Sequence, residues 1–239
     1  MKRLILLSTI VSLVYFTNAQ TSTTTADASA ENKVRLGLHF TPTVGFAKSD
    51  KAAITNAGMR LGYNWGLVVD TKLADNYYFS TGINLVNSPI KINFVDTLRD
   101  TSSTSTFSTD NVELKYKLQY LGIPLTLKMK TKEVNYMKYY GQIGFEPQFN
   151  IGKKINADKG RYAGKDYLAP SEMIYANFND DISFIRMAFV VGGGVEYSLG
   201  GKTALVGGLT YNGGFSDINK DKGSKITNNY VTLNLGILF

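Results

Sequence analysis

Few residues in this chain could do chemistry. There is one histidine, His39, and there are no cysteines. A catalytic histidine needs a nucleophile or a water beside it and a third group to orient it. His39 sits mid-stretch between Gly37 and Thr41 on one face of an alternating segment. That setting reads as a packed, hydrogen-bonded side chain. A metal site needs several ligands. The acidic pair after Asn179, at Asp180 and Asp181, is too short a set for Ca²⁺ and reads as a solvated loop end. The stretch GGKTALVGG from Gly200 to Gly208 lacks the spacing and the following helix of a phosphate-binding loop. Gly200 and Gly201 read as a strand turn, and Gly192 to Gly194 as small residues inside a strand. The sequence therefore assigns no catalytic, cofactor-binding or metal-ligating residue, and it calls for no cofactor.

The elements that carry His39 decide what remains. The chain opens with Lys2 and Arg3, an apolar run from Leu4 to Phe16, then Asn18-Ala19-Gln20. This is the layout of a signal peptide, residues 1–19, cleaved after Ala19. Residues 20–32, rich in Ser, Thr and Ala, read as a flexible periplasmic lead-in. Residues 33–239 suffice for one domain. Export without cysteine leaves core or lattice contacts to stabilise the fold. Loss of Lys2 and Arg3 lowers the net charge from +7 to +5, and the remaining cations are scattered. No dense basic run suggests nucleic acid.

From Lys33 onward the apolar residues recur with a period of two. Eight stretches show it: 33–46, 58–70, 77–87, 112–130, 137–152, 183–199, 203–215 and 228–239. Within 112–130 the apolar parity changes near Tyr120 and Leu121, which predicts a bulge. Most stretches exceed the ~5–6 residues of an ordinary strand and match the ~9–11 that cross a bilayer at a tilt. Connections alternate in length. Residues 72–76, 131–136 and 200–202 are short, whereas 48–57, 96–111, 153–182 and 217–227 are long. An even strand number with alternating turns and loops predicts an all-β fold, an eight-stranded antiparallel up-and-down transmembrane β-barrel. The short turns are then periplasmic and the long loops external.

The second face separates this barrel from a soluble, lipocalin-like one. It carries Gly37, Gly45, Gly62, Gly66, Gly82, Gly144, Gly192, Gly194, Gly208, Gly214 and Gly236. Glycine suits the crowded interior of eight strands and weakens a strand facing water. The same face is read as holding Arg35, Arg60, Glu113, Lys115, Lys128, Glu146, Arg186 and Glu196. Charge is thereby kept from lipid, where Arg or Lys costs ~2–4 kcal/mol at the midplane. Aromatic residues band at both ends, with Tyr77, Phe79, Tyr136, Tyr139, Tyr197 and Phe239 near the turns. Phe46, Phe94, Tyr116, Phe149 and Phe215 lie toward the loops, forming a second interfacial girdle. The chain ends in YVTLNLGILF, so Phe239 closes the last strand facing lipid. It also resembles the signal read by the barrel-assembly machinery.

YLGIPLTLKMK (Tyr120–Lys130) and MAFVVGGGVEYSLGGKTALVGGLTYNGGFSDI (Met187–Ile218) resemble the PorT family of outer-membrane β-barrels of Bacteroidetes. The ending NAQ of the leader is similar to exports of that phylum. The family often has Glu where Gly122 stands, so a lumen carboxylate is missing at that position. The resemblance implies an outer-membrane location, and some members belong to a type IX secretion apparatus. A fold does not fix a function. The reading is a non-enzymatic, monomeric barrel in outer-membrane lipid, docking secretion-apparatus proteins through loops or turns. The alternative is a stand-alone small transport or structural barrel. A lipid-modifying or proteolytic barrel is a third class, and an open pore is disfavoured because eight strands enclose a filled interior.

Overall fold

A computed structural model describes residues 33–50, 54–56, 58–99, 106–157, 160–162, 165–167, 182–218 and 225–239. The expected signal peptide and lead-in lie outside the described residues. Among the described residues twelve strands follow in chain order: β1 Val34–Ser49, β2 Ile54–Asn56, β3 Arg60–Ala74, β4 Tyr77–Arg99, β5 Thr106–Gly122 and β6 Leu125–Lys130. They continue as β7 Met137–Ala157, β8 Gly160–Tyr162, β9 Lys165–Tyr167, β10 Ile185–Gly200, β11 Thr203–Gly214 and β12 Ile226–Leu238. Every pairing is antiparallel, and the ring closes where β12 returns to β1, with Gly37 opposite Leu238.

Eight crossings make the barrel, because β5 and β6 are one crossing interrupted at Ile123-Pro124. Proline lacks the N–H that a central strand needs. The register survives the break: Gly122 faces Asn84 and Thr126 faces Ser80 on β4. The short turns use left-handed backbone, at Asn76 (φ 68°) and at Gly200 and Gly201 (φ 105° and 60°), as tight hairpins require. The carboxyl end does not fray. The Phe239 N–H donates to the Leu36 carbonyl and Leu36 N–H donates back to Phe239.

Side chains alternate as expected. Leu36, Leu38, Phe40, Trp65, Leu67, Ile83, Phe145, Leu209, Leu235 and Phe239 all point outward and are exposed. The turn-end aromatics Tyr77, Phe79, Tyr136, Tyr139 and Tyr197 are exposed with them.

Three expectations are corrected. The parity change near Tyr120 is not a slip in that strand. Tyr116, Leu118 and Tyr120 are buried on the same face as Thr126, Lys128 and Lys130. The extra residue lies on β7, where Gln119 faces Gly152 and Tyr120 faces Asn150, leaving Ile151 between them. The interior itself turns apolar there, so the apolar set crosses to the inward face without any shift of the chain. Tyr116 is thus an interior residue and not a girdle residue. Lys115 shares the outward face with Lys117 and Gln119 and does not belong to the lumen row. The Glu113 side chain lies outside the described residues.

The second long loop is mostly paired. β4 and β5 stay hydrogen-bonded out to Arg99 opposite Thr106, and β7 runs on to Ala157. At 23 and 21 residues, β4 and β7 far exceed β11 at 12. One wall of the barrel therefore projects beyond the apolar band on the long-loop side.

Candidate functional site

The lumen holds the polar groups, in layers fixed by strand register. Nearest the short turns is a chain of alternating charge. Arg35 on β1 donates to Glu196 on β10 at 2.9 Å. Lys130 on β6 contacts Glu196 at 2.8 Å and Asp70 of β3 at 3.2 Å. Lys128 donates to both Asp70 oxygens at 2.8 and 3.1 Å. Asp70, Lys128, Lys130 and Glu196 are buried. The two ammonium groups also lie over rings, Lys128 at 5.2 Å from Tyr140 and Lys130 at 4.2 Å from Tyr78. Buried charges persist only when paired in this way.

Farther along the axis, Arg186 of β10 anchors a second network. Its guanidinium donates to Gln148 at 2.6 Å, to Asn212 at 3.0 Å and to the Asn228 carbonyl at 2.5 Å. Gln148 donates to the Tyr230 hydroxyl at 2.6 Å. Glu146 accepts from Asn84 at 2.9 Å on one oxygen and from Asn212 at 2.6 Å on the other. A side chain begun at Gly122 would run into the Glu146 carboxylate, so the neighbouring strand already fills that space.

A chamber of about 130 Å³ lies between the two networks, with His39, Asn64, Asn84, Lys128, Gln142 and Thr210 among its walls. His39 is cross-strand to Gly66 on β3 and Gly236 on β12. Two glycines flanking one ring describe a packing slot. Beyond the Arg186 network, the long-loop end is closed by an apolar plug. It includes Val86, Ile90, Ile92, Leu118, Tyr120 and Ile226, all buried.

Of the charges expected in the lumen, Arg35, Lys128, Glu146, Arg186 and Glu196 come together in these networks. Arg60 stays at the outer rim. Asp70 and Lys130 complete the first network and were missed, although each lies on the inward parity of its own strand. Among the described residues no three of His, Asp and Glu converge as metal ligands. Residues 179–181 lie outside the described residues.

The chain matches the family described as outer membrane protein beta-barrel domain over residues 18–220. The chain belongs to that family. It is accordingly an outer-membrane β-barrel protein. Solved structures of similar fold include the outer membrane protease OmpT of Escherichia coli, at 10% identity and a TM-score of 0.50, covering 91% of this chain and 99% of that one. The Neisserial surface protein NspA is 14% identical with a TM-score of 0.44, covering 85% and 95%. The outer membrane protein OprG of Pseudomonas aeruginosa is 11% identical with a TM-score of 0.42, covering 87% and 96%. At such identities the likeness concerns the fold alone. No curated protein matches the chain.

Proposed function

We propose that this protein is a non-enzymatic, closed barrel, PorT-like, which serves protein secretion as a docking component of the outer membrane. It is exported by its leader, cleaved after Ala19, and acts as a monomer. Partners engage its long loops, its projecting wall or its periplasmic turns. The observation that carries this reading is the filled lumen, with an ion-pair layer, an Arg186 network and an apolar plug in series. A conduit would keep its axis open, whereas side chains fill this one at three levels. Function is thereby left to the surfaces and loops, and loops of such length are commonly functional. The resemblance of Tyr120–Lys130 and Met187–Ile218 to the PorT family supports secretion as the process.

The test is deletion of the gene followed by comparison of proteins in the culture medium. Selective loss of large exported proteins, restored by complementation, is the expected result. An unchanged set of secreted proteins overturns the secretion role and leaves a stand-alone structural or small transport barrel.

A further inference from the structure

The outer rim of the barrel carries a groove outside the closed lumen. Above the pair Tyr63–Asn87, β3 no longer bonds to β4. β4 continues upward, paired to β5, and β5 is paired to β7. The gap so opened is about 550 Å³, lined by Arg60 to Tyr63 of β3, Asn87 to Pro89 of β4, Lys117 to Gln119 of β5 and Gly152 to Lys154 of β7. Its cations are Arg60, Lys117, Lys153 and Lys154, and no carboxylate is among the described residues that line it.

Register concentrates this charge. Lys117 lies directly opposite Lys154 across the β5–β7 ladder. Like charges so placed repel one another, and an anion between them removes the repulsion. Lys117, Gln119, Lys153 and Lys154 are exposed. The floor is preorganised, because the Gln119 amide donates to Asn87 at 2.8 Å.

The position of the groove selects the anion. Leu61 and Tyr63 of its own wall and Trp65 beneath them point outward, exposed on the apolar face, with Leu85 and Leu121 paired on the adjoining strands. A ligand that puts its charge in the groove must lay its remainder along this apolar band. We propose that the groove binds the phosphorylated head group of a membrane lipid, with the acyl chains against the band and Arg60, Lys117 and Lys154 on the phosphate. Arginine and lysine are both suited to phosphate, the former as a fork and the latter as a point charge. The inference rests on the membrane placement of the barrel and is independent of the secretion role.

The test uses the full-length mature protein in detergent micelles, with native mass spectrometry as readout. The probes are lipid A, its dephosphorylated form and inorganic pyrophosphate. Lipid A is expected to stay bound. Its dephosphorylated form and pyrophosphate are expected to bind about tenfold or more weakly, on the scale of a lost charge-assisted contact. The double variant Lys117→Gln, Lys154→Gln is expected to lose lipid A to the same degree. Its heat-dependent shift in SDS gels should be unchanged, which shows that it folds. Equal retention of dephosphorylated lipid, or by the folded double variant, overturns the proposal. Pyrophosphate binding as tight as lipid A assigns the groove to soluble anions and overturns the lipid as its source.

Discussion

The Lys130 ammonium lies 2.8 Å from the Glu196 carboxylate, and both side chains are almost completely withdrawn from solvent. Glu196 also holds Arg35, whereas Lys130 also holds Asp70. The two are not equivalent. Replacing Glu196 by Leu takes the carboxylate from Arg35 and leaves Lys130 to share Asp70 with Lys128. Replacing Lys130 by Met leaves Glu196 with Arg35 and Asp70 with Lys128. Removing one partner of a buried pair costs about 3–5 kcal/mol, so Glu196→Leu is expected in that range and Lys130→Met below it. Urea unfolding in lipid vesicles measures both, with the chain's one tryptophan, Trp65, as the fluorescent reporter on the lipid face. Equal losses would show that the chain of charges does not act pair by pair.

Gly122 and Glu146 share one space. Gly122→Glu is expected to destabilise the barrel, because its side chain meets the Glu146 carboxylate and adds a like charge in the lumen. The exchange variant Gly122→Glu, Glu146→Gly should recover part of the loss. It should not recover all of it, since Asn84 and Asn212 are aimed at the present carboxylate. A double-mutant cycle on the same urea transition reads the coupling. Additive losses would separate the two positions.

The barrel was legible in the sequence because a half-buried strand writes its two faces with a period of exactly two residues. The strand number, the lumen row of glycines and the orientation of Phe239 all follow from that. The misreading at Tyr120 has the same origin. Period alone marks which residues are apolar and not which side is wet. Along the crossing of β5 and β6 the environment inverts: Leu121, Leu125 and Leu127 face outward on the apolar band, while Leu118 and Tyr120 belong to the plug. An inversion of solvent and a bulge give the same string. The pairing of Lys130 with Glu196, 66 residues away in the chain, is legible only as parity. Which charge meets which is decided by barrel closure.

The inversion fixes where the apolar band ends. Leu67 lies within the band and Gln119 above it, both on the outward face. Leu67→Arg is expected to cost ~2–4 kcal/mol of stability in vesicles, and Gln119→Arg about 0–1 kcal/mol. Unfolding of the two variants beside the parent protein checks the ranking. A similar cost at both positions would place the membrane boundary farther out along β5.

The plug and the ion-pair layer occlude the same axis, and a double substitution tells them apart. Ile90 and Leu118 are fully buried in the plug. Ile90→Ala and Leu118→Ala are each expected to cost about 2–5 kcal/mol, as for large-to-small changes in a packed core. Together they hollow the long-loop end. The charged layer around Lys130 and Glu196 stays intact, since none of its contacts involves either residue. Planar-bilayer recordings should therefore show no conductance steps for the double variant, as for the parent. Steps appearing in the double variant alone would mean that the plug is the seal. The ion-pair layer would then be a path for ions, and the chamber beside His39 would belong to a gated channel and not to a closed scaffold.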